Sequence, residues 1–288
     1  MTEAVPDDLK ERREPAEAPT AAPEAALVVP LPAARPLNDL AAAIGFLTLL
    51  PLGRTWADGH APRSVGWYGW VGWLLAAIVA VPLWWARTAF GVPGTVRSLL
   101  FGVLVVAVWA LLTRFLHWDG LADAFDGIWG GHTPERRLEI MRDSLIGAFG
   151  VAAMGVVALV QVASVSVLIS RGILWPLLVA PVVARFSASL AAWELPAARA
   201  DGLGRVAIGR AGTYERLVAG AAVLLLIGCL SLGATSREFV FVTGGAIVAG
   251  LGIPRLLSRP VGGMTGDLLG ATVLLVETVA VLVAAVIL

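Results

Sequence analysis

Seven long apolar stretches decide what this chain can fold into: residues 66–86, 98–116, 146–169, 173–193, 217–234, 239–254 and 268–288. A helix needs about 20 mostly apolar residues to cross a bilayer, where each backbone N–H and C=O must find its partner inside the segment. The weakest of the seven is 239–254, which is short and glycine-rich. The stretch 38–50 is too short to span easily. It reads as an interfacial or re-entrant helix closed by the Leu-Pro-Leu-Gly turn at 50–53, with a partial eighth membrane helix as the alternative. The chain is 58% hydrophobic and 15% charged, whereas soluble domains are about half apolar and a quarter charged. The expectation is an all-α, polytopic membrane helix bundle of about seven transmembrane helices over residues 37–288.

The first 36 residues are of another kind. They are rich in Ala, Pro and Glu and poor in bulky apolar side chains, so they predict a disordered tail without a catalytic part. No basic region followed by an apolar run marks a signal peptide there. The formal net charge is zero, which gives no footprint for nucleic acid. Cys229 is the only cysteine. An intramolecular disulfide and a thiolate metal cluster are therefore excluded, and its place in 217–234 suits an inert thiol.

Arginine placement orients the bundle. If the spans alternate sides, one side receives the loops 51–65, 117–145, 194–216 and 255–267, with eleven arginines from Arg54 to Arg259. The other receives only Arg87, Arg97, Arg171 and Arg237. The positive-inside rule makes the arginine-rich side cytoplasmic, so the long polar loops face the cytoplasm from a multi-pass protein of the cytoplasmic (inner) membrane. No internal repeat with matching broken helices is evident, which argues against a transporter of that design.

Those loops hold the acids. Asp119, Asp123 and Asp126 are spaced i, i+4, i+7 and share one helical face, while Glu139 and Asp143 form a second i, i+4 pair. Like charges stacked this way repel unless something positive sits among them. Hard oxygen donors in this number suit Mg2+, Mn2+ or Ca2+ over Zn2+. Clustered carboxylates beside a diphosphate commonly hold Mg2+ for phosphoryl transfer. A helical hairpin would bring the two acidic faces together. Gly127, Gly130 and Gly131 would let backbone approach a phosphate closely.

The segments DGLADAFDG (Asp119 to Gly127) and ERRLEIMRDSLIGAFG (Glu135 to Gly150) closely resemble the core of the cobalamin 5'-phosphate synthases, the adenosylcobinamide-GDP ribazoletransferases. FLTLLPLG (Phe46 to Gly53), ARADGLGR (Ala198 to Arg205) and GGMTGDLLGATVLLVE (Gly262 to Glu277) resemble further pieces of that family in the same order. The likeness runs from about Leu37 to the end. Trp118 departs from a smaller aliphatic residue, and Leu145 from a frequent basic one. The spacing of Asp123, Asp126 and Gly127, with Glu139 and Asp143, is also similar to the metal motif of the CDP-alcohol phosphotransferases.

The resemblance implies a Mg2+-dependent enzyme of the last assembly step of cobalamin biosynthesis. It would join adenosylcobinamide-GDP to α-ribazole 5'-phosphate (or α-ribazole) and release GMP. Asp119, Asp123, Asp126, Glu139 and Asp143 are the implied metal ligands. Asp143 is the implied general base, with Asp119 as a second catalytic acid. Gly127, Arg137, Arg142, Arg185, Arg199, Arg205 and Asp267 are the implied substrate contacts. The lipid bilayer is the expected surrounding; whether the chain forms a homo-oligomer stays open.

Several of these residues carry a local alternative. Arg185 lies inside the span 173–193, where it reaches either a phosphate or a carboxylate such as Glu277, itself mid-span in 268–288. Asp267 could cap a helix. Arg114 could snorkel to the interface. Arg199, Arg205 and Arg210 could act through topology alone. His117, without a second histidine at ligand spacing, reads as structural. Trp67, Trp70, Trp73, Trp84 and Trp85 read as interface anchors. Two other functions compete. A phospholipid-forming CDP-alcohol phosphatidyltransferase would carry Ala-Arg after the D-G-x2 element, which this chain lacks. A cation transporter would set its acids near the bilayer midplane.

Overall fold

The computed structural model describes residues 33–52, 61–199, 208–209, 211–231 and 237–288; residues 1–32, Arg54, Arg205 and Arg210 lie outside them. Every regular element among the described residues is helical: α1 (Pro36–Leu47), the single turn α2 (Ala61–Ser64), α3 (Tyr68–Phe90), α4 (Thr95–Leu112), α5 (Leu116–Gly130), α6 (Pro134–Ile140), α7 (Ala148–Ser170), α8 (Pro176–Glu194), α9 (Thr213–Ser231), α10 (Arg237–Ser258) and α11 (Gly266–Ile287).

Seven of these are long and apolar enough to cross a membrane: α3 extended back to Ala61, α4, α7, α8, α9, α10 and α11. The chain is thus a multi-pass membrane protein. The short apolar helix α1 has 12 residues and ends at Leu47, too few to cross hydrocarbon unaided.

α8 and α11 form the centre of the bundle. In their apolar windows 83% and 67% of residues are buried, against 22–39% in the other spans. α3 packs on α8, α4 on α7, and α10 on both central helices, while α5 lies against α11 and α7. At this centre polar groups pair across helices. Arg185 on α8 meets Glu277 on α11 at 3.2 Å, with both side chains almost fully enclosed. Gln161 on α7 donates to Thr278 at 3.0 Å, and Ser187 donates to the Gly250 carbonyl at 2.5 Å. Polar partners inside a bundle are strongly specified, because leaving either one alone in hydrocarbon is costly. Of the two partners open to Arg185, the structure supplies the carboxylate.

Two expectations are revised. Trp70 and Trp73 donate to the Val218 and Ala222 carbonyls of α9, so they tie two spans together. Trp84 and Trp85, 60% and 62% exposed, do suit an interface. Arg114 donates to the Gly45 and Phe46 carbonyls at the end of α1, which gives it a fixed role in place of snorkelling.

Candidate active site at one membrane face

Beyond α4 the chain turns sharply. Arg114 and Phe115 both take left-handed backbone, with φ of 52° and 56°, at a cost of about 1–2 kcal/mol per residue. The turn is held by Phe115 N–H on the Ala110 carbonyl and by the arginine's bonds to α1. It sets α5 off as a helix of its own, outside the seven spans, along one end of α11 and α7.

One face of α5 buries His117, Gly120, Leu121 and Ala124. Gly120 is in close approach to α11, where a Cβ would stand 2.7 Å from the Asp267 carbonyl. The neighbouring face carries the acids in graded burial: Asp119 exposed, Asp123 half-buried, Asp126 buried.

Asp126 is fully engaged by main chain. Its two oxygens accept the amides of Gly147 at 2.7 Å and Gly150 at 2.9 Å, at the start of α7, which has no cap of its own. The orphan amides of a helix start and its positive end favour such a carboxylate. Glycine is required at both positions, since a Cβ on either would collide with the Asp126 carboxylate.

Asp123 lies between the other acids. Burial, then the charges of Asp267, Asp119 and Asp126, push its carboxyl up to about 7, against the opposing pull of Arg199. Asp267 enters from the first turn of α11. That helix is capped by Thr265, which accepts the Leu268 amide at 3.2 Å, so capping is not the role of Asp267. Its carboxylate instead sits 3.5 Å from Arg199.

Arg199 is delivered by a short backbone pairing. Met264 N–H donates to the Pro196 carbonyl at 2.7 Å and Ala198 N–H to the Met264 carbonyl at 2.9 Å. The other end of the guanidinium donates to the Leu138 carbonyl of α6 at 3.0 Å. Arg137 of α6 donates to the Gly131 and Pro260 carbonyls at 2.9 and 2.6 Å. The polar segments 131–147, 195–199 and 259–267 thus converge on one end of the bundle.

Two sequence readings are corrected in the process. α6 stops at Ile140 and Asp143 lies in the turn beyond it, so Glu139 and Asp143 do not stack on one helical face. Glu139 is exposed and paired with Arg136 at 2.6 Å; Asp143 is exposed and accepts the Leu145 amide at 3.1 Å. Neither is among the charges acting on Asp123. Gly127 is covered by α6, where a Cβ would stand 2.9 Å from the Arg137 carbonyl. It serves helix packing, and its backbone is not open to a phosphate. Arg142 is exposed. Arg185 is enclosed with Glu277, and Arg205 lies outside the described residues. His117 is buried, with neither ring nitrogen bonded among the described residues; burial and the nearby Arg185 charge hold its pKa well below the usual imidazole value.

The residue whose place in the cluster the sequence did not reveal is Asp267. It is separated from Asp123 by more than 140 positions, and only the packing of α5 on α11 joins them. Among the described residues no three His, Cys, Asp or Glu side chains form a closed metal cage. The donor set nevertheless fits a hard cation in charge and type. The charges of Asp119 and Asp267 act on Asp123, Arg199 pairs with Asp267, and Mg2+ commonly takes only one or two carboxylates plus substrate phosphates.

Comparison with known proteins agrees with this picture. The family model for cobalamin-5-phosphate synthase matches residues 39–285. Adenosylcobinamide-GDP ribazoletransferase of Syntrophobacter fumaroxidans is 39% identical over 82% of this chain and 93% of its own length. The proteins of that name from Escherichia coli O17:K52:H18 and Shigella flexneri are each 36% identical over 83% of this chain and 95% of theirs. No solved structure matches the chain. With the family model covering most of its length, the chain belongs to the cobalamin-5-phosphate synthase family.

Proposed function

We propose that this protein transfers the cobinamide phosphate of adenosylcobinamide-GDP to α-ribazole 5'-phosphate, or α-ribazole, with release of GMP. The observation that carries the reading is the meeting of Asp119, Asp123 and Asp267 beside Arg199 at one end of the bundle, in a chain similar over most of its length to enzymes named for that transfer.

In this account a free ribose hydroxyl of the ribazole, and not the 5' oxygen that carries phosphate in α-ribazole 5'-phosphate, attacks the phosphorus that carries cobinamide. A new P–O bond forms, the bridging P–O bond of the diphosphate breaks, and GMP leaves with the bridging oxygen. The hydroxyl proton passes to a carboxylate. Asp119 is suited to take it: it is exposed on the acid face. Asp143, the base implied by the family likeness, lies in the turn after α6. Asp123 and Asp267 would hold Mg2+, leaving Asp119 off the metal as base; the ion when bound would neutralise charge on the diphosphate. Arg199 is placed to meet a phosphate while bonded to Leu138 and Asp267. Asp126 fixes the start of α7 against the acid face.

The arginine bias supports a cytoplasmic orientation of this end of the bundle, in the inner membrane, where nucleotide-activated substrate is at hand. A lipid-forming phosphatidyltransferase lacks its Ala-Arg element here, and a transporter would have its acids at the midplane. The test is GMP release by detergent-purified protein from adenosylcobinamide-GDP and α-ribazole 5'-phosphate, with and without Mg2+. Release that requires both substrates and Mg2+ is expected; well-folded protein that turns over neither ribazole form overturns the reading.

A further inference from the structure

At the opposite end of the bundle, the C-terminal end of α3, the start of α4 and the turn between α7 and α8 border an open cavity of about 220 Å3. Arg87 and Arg97 both line it, together with Phe90, Gly94, Phe101 and Leu174. No acidic side chain is among its lining residues. The sequence marked both arginines only as members of the arginine-poor side.

Three independent features give this cavity anion chemistry. First, neither the Arg87 nor the Arg97 guanidinium has a hydrogen-bond or ion-pair partner among the described residues. The neighbouring Arg171, by contrast, is bonded to the Ala285 carbonyl at 3.3 Å. Second, Arg87, though exposed, lies over the turn at Gly172, whose Cβ position is 3.1 Å from its Nε, so the guanidinium runs along the cavity wall. Third, α4 is an 18-residue helix that starts at the cavity with Gly94 as N-cap and no capping side chain. Its first-turn amides therefore have no intrahelical acceptor and no capping side chain, and its positive end lies at the cavity.

The cavity opens among apolar side chains. Phe90, Val96 and Leu100 are 80%, 74% and 61% exposed, and Trp84 and Trp85 flank the same end of α3. Side chains of this kind at the end of spanning helices lie at the level of lipid headgroups. The volume admits a headgroup, and acyl chains would lie along the exposed apolar flank of α4. We propose that this cavity is a phospholipid site, in which Arg87, Arg97 and the first-turn amides of α4 hold the phosphodiester of an anionic lipid on the membrane face opposite the acid cluster. The site is independent of the reaction assigned to the other face.

Native mass spectrometry of the detergent-purified protein, with dioleoylphosphatidylglycerol or dioleoylglycerol added, tests it. The phosphatidylglycerol adduct should persist and the phosphate-free dioleoylglycerol adduct should not. Arg87→Gln and Arg97→Gln should each weaken retention about tenfold, the loss expected for one charge-assisted hydrogen bond, while Arg171→Gln leaves it unchanged. Equal retention of the two lipids by the wild-type protein overturns the proposal, and that comparison requires no variant to fold. Undiminished retention by the Arg87→Gln/Arg97→Gln protein overturns it too. Displacement of the lipid by inorganic phosphate at matched concentration would also overturn it, by making this a site for a soluble anion.

Discussion

Asp267 at the start of α11 and Arg199 in the segment after α8 stand 3.5 Å apart, and through this pair two loops distant in sequence close on the acid face of α5. The arginine also holds α6 by the Leu138 carbonyl, so one guanidinium joins three elements of the site. Replacing it with glutamine removes the positive charge nearest Asp123 and Asp267 and the bond to α6. Arg199→Gln is expected to raise KM for adenosylcobinamide-GDP by about 10- to 100-fold, the value of one or two hydrogen bonds to a charged group. Arg199→Lys should recover little of that, because one ammonium cannot reproduce the forked geometry. Steady-state kinetics on both variants checks this.

Asp123 and Asp126 are three residues apart and should respond oppositely. Asp126 accepts two amides at the start of α7, and asparagine would turn a donor toward one of them. Asp126→Asn is expected to destabilise the protein by about 1–3 kcal/mol, the cost of a buried polar group left unpaired. Asp123→Asn removes a like charge from a crowded face and should leave the thermal midpoint unchanged or raised. Thermal unfolding in detergent without Mg2+ distinguishes the two.

Gly150→Ala should reproduce the Asp126 effect without removing any acid. The added methyl would collide with the Asp126 carboxylate and stand 3.0 Å from the Ala122 carbonyl, pushing α7 off α5. Gly155→Ala, five residues further along the same helix with nothing within 4 Å of its Cβ position, should be neutral. Activity and unfolding midpoint measured side by side test the contrast.

The raised carboxyl of Asp123 predicts two pH effects. Its pKa in the folded, metal-free protein is about 7, above the ordinary 3.8. Between those values the folded state binds more protons than the unfolded one, so metal-free stability should fall as pH rises from about 4 to about 7. Mg2+ competes with that proton, and its affinity should rise over pH 6 to 8 as the proton is released. Both slopes should flatten in Asp123→Asn. Unfolding and calorimetric titration across this range are the measurements.

The spans were readable because a bilayer imposes length and apolarity on each segment separately. All seven stretches became helices, with ends shifted by a few residues where polar caps such as Thr265 and turns such as Arg114-Phe115 set the boundary. The acid face of α5 was readable for the same reason: helical spacing is local. What could not be read was tertiary. Gly127 in sequence is an open glycine after an acid, and only the packing of α6 shows it covered. Glu139 and Asp143 have helical spacing, but the helix ends at Ile140. Asp267 joins the cluster because Gly120 lets α5 and α11 approach closely, and no spacing rule links positions so far apart.

The central claim is that the carboxylates around Asp123, without Glu139, support the transfer. The most direct measurement is Mg2+-dependent GMP release from adenosylcobinamide-GDP by Asp123→Asn and Glu139→Gln, each shown to unfold at the wild-type temperature or above. The account predicts loss of about a thousandfold or more in Asp123→Asn, the scale of removing a group that stabilises transition-state charge, and near wild-type turnover in Glu139→Gln. Wild-type turnover in Asp123→Asn, with release abolished in Glu139→Gln, would contradict it and move the reacting centre to α6.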